Sequence, residues 1–335
     1  MSDWMPYPWQ LGQWQQILQV ERDGKLPHAL LVSGEPGIGK HVFLQGLAAR
    51  LLCRADGDYP CGECKSCLLF AAGSHPDFQQ VSPQDSRHIK VDQIRTVIDQ
   101  LSQTAQLGGR RLVLITPAEA MNTASANALL KCLEEPGRDT VLLLASHAPH
   151  RLLPTIRSRC QQLNMIKPDY QTADQWLSLS VSNADERRQL LALASDNPLL
   201  ALAYHQADVA TLFRHSLDSL QALASGAADI AVLAEQAQKH AGGKTTAEKA
   251  AQMLLWLQIH QRLLWRMIRQ SMTGAGDDEV SAFVALTGRE GFARRAWRQL
   301  ELLQGAQAEV QGSSNPNLSL LAESVLINWQ RLLRS

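Results

Sequence analysis

One segment near the start of the chain has the spacing of a phosphate-binding loop, Gly34-Glu35-Pro36-Gly37-Ile38-Gly39-Lys40-His41. It matches the pattern G-x-x-x-x-G-K-[ST] at every fixed position except the last. In such a loop the glycines let backbone N–H groups point at phosphate oxygens, and the lysine reaches the outer phosphates. The candidate nucleotide-binding residues are therefore Gly34, Gly37, Gly39 and Lys40.

The metal-binding part of this loop departs from the pattern. His41 stands where a hydroxyl normally contacts Mg²⁺, and an imidazole is a poor ligand for this hard cation, which prefers oxygen. A second departure follows the apolar run 111–115, after which an active enzyme of this class has an aspartate that helps to hold Mg²⁺. Here Thr116-Pro117 follow instead, and Glu119 is out of register for that role. We therefore predict that this site lacks two of the groups that hold Mg²⁺ in an active enzyme.

Four of the six cysteines are clustered, at Cys53, Cys61, Cys64 and Cys67. Overlapping C-x-x-C steps let neighbouring sulfurs turn toward one ion, and a closed tetrahedral Zn²⁺ site uses four such ligands. A catalytic zinc needs an open coordination position, which four cysteines do not leave. We therefore predict a structural zinc site, whereas the spacing alone leaves an iron–sulfur cluster or free, redox-active cysteines as alternatives. His75 is near enough in sequence to replace one ligand, although His-Pro-Asp before an apolar run is more typical of a strand start.

The elements that must hold these residues alternate between strand and helix in the first half of the chain. Continuous apolar runs predict buried strands, and apolar residues at helical spacing predict helices. The predicted strands are Ala29–Val32, Phe78–Val81, Arg111–Ile115 and Val141–Ala145, and the predicted helices include Val42–Leu52, Val91–Leu101 and Ala124–Glu135. This alternation predicts an α/β fold with a parallel sheet flanked by helices.

The pattern changes after Pro168, where strand signals disappear and helices rich in Leu, Ala and Gln continue to the end. We predict three domains. They are an α/β domain at 1–168 with a zinc-knuckle insert at 53–75, a small helical lid domain at 169–206 and an all-α domain at 207–335.

The all-α domain has visible breaks and several tryptophans. Gly-rich stretches at 242–243, 274–277 and 312–316 interrupt its helical patterns. An aromatic residue on an amphipathic helix is usually part of the core. The tryptophans expected in this core are Trp256, Trp265, Trp297 and Trp329.

Composition and charge narrow the function classes. The chain has 335 residues, 45% of them hydrophobic and 19% charged, which is typical of a globular protein. Lys+Arg and Asp+Glu are both 32, so the net charge of zero argues neither for nor against a nucleic-acid partner. No apolar run approaches the roughly 20 residues of a membrane helix, and the N-terminus lacks the layout of a signal peptide. We therefore expect a cytoplasmic protein without a membrane partner.

Four motifs occur together in one order along the chain. They are Gly-Glu-Pro-Gly-Ile-Gly-Lys at 34–40, the four-cysteine insert, Asn-Ala-Leu-Leu-Lys-Cys-Leu-Glu-Glu-Pro at 127–136 and Thr-Ile-Arg-Ser-Arg-Cys at 155–160. In this combination the chain resembles the clamp-loader branch of the AAA+ proteins, to which the third motif and the Ser-Arg-Cys of the fourth are quite specific. The resemblance covers the chain up to about Cys160. The helical remainder agrees with the family only in its length and its general helical pattern.

Within that family the chain is similar to the subunit type that lacks a working ATP site. The family pattern adds a third departure, because Leu199 stands where an active subunit has a phosphate-sensing arginine. Together with His41 and Thr116-Pro117, three losses then surround one phosphate, which implies that this chain does not hydrolyse ATP by itself. Lys40 and the glycines remain, so weak binding of ATP or ADP is left open.

The resemblance also implies that Ser158-Arg159-Cys160 lies at a subunit interface. Arg159 would project in trans into the ATP site of the neighbouring subunit, where such a guanidinium is typically worth about 10³–10⁵ in rate. Lysine cannot reproduce its planar, forked donors. Without the family, a surface arginine or a structural ion pair is the simpler interpretation of the same residue.

The partners implied by the resemblance form a hetero-oligomer that loads a sliding clamp onto primed DNA within the DNA polymerase III holoenzyme. Direct partners would be the ATPase subunits of tau/gamma type and the delta subunit, and the C-terminal helices would pack with them as a collar. The clamp and primer–template DNA would be met through the complex. Two other functions fit parts of the sequence: an active P-loop ATPase motor subunit, and a zinc-knuckle nucleic-acid-binding protein whose Arg54 and Lys65 contact phosphates.

Overall fold

The computed structural model describes residues 4–84, 88–101, 104–240, 246–274, 278–311 and 316–334. The predicted break at 242–243 lies outside these described residues, as do most residues of the other two predicted breaks. The chain divides into two compact units, Met1–Ala203 and Tyr204–Ser335. The finer division at residues 168 and 206 stays a prediction.

The first unit is organised around a five-stranded parallel sheet. Its strands are β1 Ala29–Ser33, β2 Phe78–Val81, β3 Arg111–Ile115, β4 Thr140–Ser146 and β5 Gln161–Asn164. Their order across the sheet is β2-β3-β4-β1-β5. The four strands predicted from apolar runs are confirmed. β5 was missed by the sequence reasoning, because it is an edge strand in which three of the four residues are exposed.

Helices cover both faces of this sheet. They are α1 Leu11–Arg22, α2 Lys40–Leu52, α3 Lys65–Ala71, α4 Val91–Leu101, α5 Thr123–Glu134 and α6 Pro154–Arg157. Three more helices follow β5 along the chain: α7 Tyr170–Leu177, α8 Ala184–Leu193 and α9 Pro198–Gln206. The predicted helices are confirmed, with ends that differ by no more than two residues. Polar caps explain where several of them begin; for example, Asn122 Oδ1 accepts a hydrogen bond from Ser125 N–H at 2.9 Å before α5.

The inner strands are mainly apolar because both of their faces are covered. Every residue of β1, β3 and β4 is buried. Successive side chains of a strand point to opposite faces. Accordingly, Leu30 and Val32 belong to a core that includes Trp14 and Phe43 from α1 and α2, whereas Leu31 belongs to a second core with α4 and α5.

Parallel pairing brings the carboxyl ends of the strands to one edge of the sheet. Ser33 at the end of β1 pairs with Ser146 at the end of β4, and Ile115 at the end of β3 pairs with Leu144. The segments that follow these three strands therefore start side by side. This is the edge at which open α/β sheets bind ligands.

The second unit is helical in its described residues. Its helices are α10 Val209–Ser225, α11 Ile230–His240, α12 Thr246–Thr273, α13 Val284–Thr287, α14 Phe292–Gln311 and α15 Leu318–Arg334. Within the described part of the chain, none of the helices combines the length and the apolar character that a membrane span requires.

The prediction for the tryptophans of this unit is half right. Trp256 and Trp329 are buried, but Trp265 and Trp297 are each 43% exposed and pack edge to face with ring centroids 5.0 Å apart. The prediction is wrong for the second pair because helical spacing shows that a helix has an apolar face but does not show what covers that face.

A completely buried histidine lies among the aromatic residues of this core. The His260 ring packs 4.0 Å from the Trp256 ring and 6.0 Å from the Trp329 ring. Its Nδ1 atom donates a hydrogen bond to the Trp256 carbonyl oxygen at 2.9 Å, and its Nε2 atom has no partner in the described residues. Burial lowers the pKa of His260 to about 4, although the hydrogen bond to Trp256 opposes this shift. His260 is therefore neutral in the folded unit.

This buried histidine predicts that the second unit loses stability as the pH falls. Between the ordinary histidine pKa of about 6.5 and the folded value of about 4, the unfolded chain binds a proton that the folded unit does not. The free energy of unfolding should therefore fall with decreasing pH, by at most about 1.4 kcal/mol per pH unit. Thermal unfolding from pH 7 to pH 5 should show a smaller loss for His260→Gln than for the unmodified chain.

The matched control is Met267→Leu, which changes another buried side chain of α12 that has no titratable group. This variant should keep the pH dependence of the unmodified chain. Parallel pH profiles for all three proteins would contradict a neutral, buried His260.

Candidate functional site

The loop between β1 and α2 has the backbone that a glycine-rich phosphate loop requires. Gly37 and Gly39 have φ of 78° and 86°, a left-handed conformation that residues with a side chain rarely adopt. An added Cβ would lie 2.7 Å from Asn197 Nδ2 at Gly37 and 2.6 Å from the Tyr7 ring at Gly39. The predicted glycines thus lie where the chain turns, and other parts of the first unit pack directly against them.

Lys40, the candidate phosphate-binding cation, turns back onto its own loop. It is only 3% exposed, and its Nζ atom donates hydrogen bonds to the carbonyl oxygens of Gly34 at 2.8 Å and Glu35 at 2.6 Å. Burial lowers the pKa of Lys40 to about 8, although the carboxylates of Glu119 and Glu35 oppose this shift. A phosphate would therefore have to compete with the loop carbonyls for this ammonium group.

The positions that would hold Mg²⁺ offer no substitute for the missing groups. His41 Nδ1 is buried and has no hydrogen-bond partner in the described residues, and burial lowers the pKa of this imidazole. Thr116 and Pro117 follow β3 and have no carboxylate. Leu199, half-buried in the first turn of α9, has no donor for a phosphate. In these positions the chain supplies neither a charged oxygen ligand nor a guanidinium.

Glu119 is an acidic group that the sequence reasoning set aside. It lies in the short turn Ala118–Ala120 after β3, and its Oε1 atom accepts a hydrogen bond from His147 N–H at 2.9 Å. Burial would raise the pKa of Glu119, but hydrogen bonds from its own amide, the His147 amide and the Ser146 hydroxyl lower it. Its carboxylate is therefore charged at the end of β4, within electrostatic reach of Lys40. Only the pairing of β3 with β4 reveals this position.

Side chains from distant parts of the first unit bind the carbonyl oxygens of the loop. Asn197 Nδ2 donates to the Pro36 carbonyl at 2.8 Å. Trp9 Nε1 and Gln10 Nε2 both donate to the Ile38 carbonyl, at 3.1 Å and 2.9 Å. Sequence reasoning missed these groups, because they lie 161, 29 and 28 residues from their acceptors and belong to no local motif.

An aromatic cluster of Tyr7, Trp9 and Trp176 covers the same loop. The Tyr7 and Trp9 rings are stacked, with centroids 4.9 Å apart and an angle of 3° between their planes. Trp176 of α7 packs edge to face on both rings, at 5.6 Å and 5.5 Å. Because Tyr7 also packs against Gly39, the cluster fastens the N-terminal segment and α7 to the loop.

The candidate arginine finger has contacts of its own. Arg159 follows α6, and its side chain is 36% exposed. Its Nη2 atom lies 2.7 Å from Glu134 Oε1 at the end of α5, and its Nη1 atom donates to the Thr155 carbonyl at 3.0 Å. Both contacts are with α5 and α6, not with the loop after β1. The guanidinium is thus held at a partly exposed position on the surface of the first unit.

The four clustered cysteines come together as predicted. Their Sγ atoms all lie within 4.8 Å of one another, and the Cys53–Cys64 and Cys61–Cys67 pairs are each separated by 3.9 Å. A tetrahedral ion with metal–sulfur bonds of about 2.3 Å places its sulfurs about 3.8 Å apart. Backbone N–H groups of Cys61, Cys64 and Cys67 point at sulfurs from 3.4 to 3.5 Å, which favours thiolates. The geometry therefore fits one four-coordinate metal ion.

The electrostatics of the cluster also favour a bound cation. Burial would raise the pKa of Cys64, but hydrogen bonds from the Arg54 and Cys67 amides and from the neighbouring thiols lower it to about 6. For Cys67 burial prevails and raises the pKa well above its usual range. Four adjacent thiolates repel one another, so a positive ion is needed to hold all four sulfurs in the ligand state.

His75 is not part of this cluster. Its Nε2–H group donates to the Ser66 hydroxyl oxygen at 2.8 Å, and the Ser66 hydroxyl donates to the Leu52 carbonyl at 2.7 Å. The Nδ1 atom of His75 accepts from Asp77 N–H at 3.1 Å. Both ring nitrogens are therefore engaged just before β2, in agreement with the interpretation as a strand start.

Known proteins give a consistent match to this chain. A family profile described as "DNA polymerase III, delta subunit" matches residues 9–169. DNA polymerase III subunit delta' of Pseudomonas aeruginosa is 37% identical, over 97% of this chain and 98% of that protein. The chain belongs to the delta' family.

Other delta' relatives match a shorter part of the chain. Delta' of Escherichia coli is 38% identical over 60% of this chain and 61% of its own, and delta' of Haemophilus influenzae is 41% identical over 58% and 60%. A solved gamma subunit-related protein of DNA polymerase III from Thermotoga maritima is 18% identical, with a TM-score of 0.48, over 95% of this chain and 100% of that one. Membership of the delta' family confirms the resemblance to clamp-loader proteins that the motif order indicates.

The close packing of Tyr7 on the loop between β1 and α2 predicts that Gly39→Ala causes an unusually large loss of stability. A side chain at Gly39 meets both an unfavourable φ, worth about 1–2 kcal/mol, and the Tyr7 ring, since overpacking typically costs about 1–3 kcal/mol more. Denaturant unfolding of the full chain should show the sum of these two losses.

Gly24→Ala is the matched control. Gly24 has a similar φ of 69°, but an added Cβ would meet nothing within 4 Å. This variant should therefore show only the loss that comes from the backbone conformation. Equal losses for the two variants would mean that Tyr7 does not press on the loop.

Proposed function

We propose that this delta' family member is a non-hydrolysing subunit of a clamp loader that supplies Arg159 to the ATP site of a neighbouring ATPase subunit. In this role it supports ATP-dependent loading of a sliding clamp onto primed DNA. One contrast carries the proposal. The chain presents an oriented, partly exposed arginine, whereas the cation of its own loop is bound to that loop's carbonyl oxygens.

Hydrolysis at the loop of this chain would need a bound metal ion and an oriented water. His41 supplies an imidazole in place of the P-loop hydroxyl, and Thr116-Pro117 supply no carboxylate, in the two positions where P-loop enzymes hold Mg²⁺. Glu119 does supply a charged carboxylate at this edge, but that carboxylate accepts hydrogen bonds from the end of β4. Weak binding of ATP or ADP would use Lys40 and the loop glycines, and it would first have to displace the carbonyls that hold Lys40.

Arg159 suits a trans-acting role for a chemical reason. Phosphoryl transfer is accelerated mainly by positioning and by stabilising charge on the transferring group, and a guanidinium does both. Arg159 is already ordered by its contacts with Glu134 and Thr155, so less side-chain freedom remains to be lost when it meets a phosphate.

The proposed partners follow from family membership. The ATPase subunits of tau/gamma type and the delta subunit would bind this chain directly, and the clamp and primer–template DNA would be reached through the complex. The helices of the second unit would pack with their counterparts as a collar, and the exposed Trp265–Trp297 pair is an aromatic surface of the kind found at subunit interfaces.

The two alternative functions gain no support from specific contacts. An active ATPase would need the metal ligands that the loop lacks. A zinc-knuckle nucleic-acid-binding protein would use Arg54 to contact phosphates, but the Arg54 guanidinium donates to the carbonyl oxygens of Leu107 and Gly108 within the chain.

The decisive test is Arg159→Ala in a clamp loader reconstituted with its ATPase subunits. Turnover at the site that Arg159 faces should fall by about 10³-fold or more, so the DNA- and clamp-stimulated ATPase of the complex should lose the share contributed by that site. Assembly should be unchanged, because truncating one partly exposed side chain at an interface usually costs little binding energy. Arg159→Lys should not restore activity, since an ammonium lacks the forked donors.

Two controls accompany this measurement. Arg151→Ala removes another exposed arginine and should leave the ATPase of the complex unchanged. The chain alone should show no Mg²⁺-dependent ATP hydrolysis above background. Turnover by the chain alone that disappears in Lys40→Ala would overturn the proposal.

We further propose that the metal held by the four cysteines is structural zinc. Four sulfur ligands at tetrahedral separations leave no open position for a substrate, which is the arrangement of zinc in knuckles and ribbons. The bound ion would join the end of α2, next to Cys53, to the start of α3, where Cys64 is the cap residue. Its contribution would be to folding and not to chemistry.

Metal analysis tests this assignment directly. Freshly purified chain should contain about one zinc per molecule, and Cys64→Ser should lose the metal and lower the unfolding temperature. Cys132→Ala, which changes a cysteine of α5 outside the cluster, should keep its zinc. Iron in place of zinc, or no metal in the unmodified chain, would contradict the assignment.

A further inference from the structure

The ion pair between Glu134 and Arg159 joins the two sequence motifs that are most specific to the clamp-loader family. Glu134 is the last residue of α5, in the Leu-Glu-Glu-Pro segment, and Arg159 belongs to the Ser-Arg-Cys segment. Arg159 Nη2 lies 2.7 Å from Glu134 Oε1. The two residues are far apart in sequence, so this contact exists only because α5 and α6 pack together.

The geometry leaves the guanidinium able to act while it is held. Nη2 forms an ion pair with Glu134 of α5, and Nη1 donates a hydrogen bond to the Thr155 carbonyl of α6, so the two contacts come from different helices and restrict both position and rotation. A guanidinium has five N–H donors, and the hydrogen bond to the Thr155 carbonyl uses one of them. Donors therefore remain for an anion.

The ion pair has little to contribute to folding. The side chains of Glu134 and Arg159 are 51% and 36% exposed, and exposed ion pairs add little to stability. Glu134 also lies at the C-terminal end of α5, where the helix dipole disfavours a negative charge. The helix alone therefore gives no reason for a carboxylate at this position, whereas the neighbouring cation of Arg159 does.

We propose that Glu134 is a positioning residue for Arg159. It holds the guanidinium in the orientation in which its remaining donors contact a phosphate of the ATP bound to a neighbouring subunit. This inference rests on the proposed function, because it assigns Glu134 a role only if Arg159 acts in trans. Glu134 itself does not touch the nucleotide. Its carboxylate reduces the number of orientations that Arg159 samples before the phosphate arrives.

Glu135 offers a matched control. It is the next residue in sequence, has the same charge and is exposed, and it takes part in none of the ion pairs found in the described residues. Substituting it removes the same charge from the same helix end without changing the contact to Arg159.

The experiment measures DNA- and clamp-stimulated ATP hydrolysis by the reconstituted clamp loader, with kcat and KM determined separately. Glu134→Gln should lower kcat by about two- to fivefold, the range set by one exposed ion pair, with little change in KM. Glu135→Gln should match the unmodified complex. In a complex that already contains Arg159→Ala, adding Glu134→Gln should have no further effect. Assembly of each complex is checked by size-exclusion chromatography.

The outcomes separate this inference from the proposed function. If Arg159→Ala leaves the ATPase of the complex unchanged, the proposed function fails, and the role of Glu134 fails with it. If Arg159→Ala lowers the ATPase but Glu134→Gln does not, only the positioning role is overturned. A loss from Glu134→Gln that persists without Arg159, or an increase in kcat, also overturns it.

Discussion

The parallel pairing of β1 with β4, and of β4 with β3, is the constraint on which the site depends. It places the loop after β1, the turn after β3 and the residues after β4 at one edge of the sheet. This placement comes from buried apolar strands and does not depend on which residues follow them. The scaffold can therefore keep its shape whichever residues stand at positions 41 and 116, because neither position belongs to a strand.

The loop shows how a ligand site can be filled by its own chain. Lys40 is bound by two loop carbonyls, and three other side chains bind the carbonyls of Pro36 and Ile38. Each hydrogen bond is individually modest, with a net worth of about 0.5–1.5 kcal/mol. Together they give the loop a stable conformation without a nucleotide. Arg159, in contrast, keeps unused donors at the surface, so Lys40 and Arg159 are in opposite situations.

Local patterns predicted the strands of the buried sheet, the helices beside them and the cysteine cluster, because each depends on the type and spacing of residues that are close in sequence. β5 was not predicted, because this exposed edge strand has no apolar run. The sequence did not predict the loop contacts of Trp9, Gln10 and Asn197, because only tertiary packing brings these residues to the loop. Glu119 was seen in the sequence but could be located only through the register of β3 against β4. The prediction that Trp265 and Trp297 belong to the core was wrong, because the apolar face of a helix can be exposed.

The helix α2 connects the two candidate sites of the first unit. It runs without interruption from Lys40 to Leu52, 13 residues, and is therefore about 20 Å long. One end carries the ammonium of the loop, and the other is followed at once by the first sulfur of the cysteine cluster. The four-cysteine cluster and the phosphate-type loop therefore adjoin opposite ends of one helix, and the length of α2 sets the separation between them.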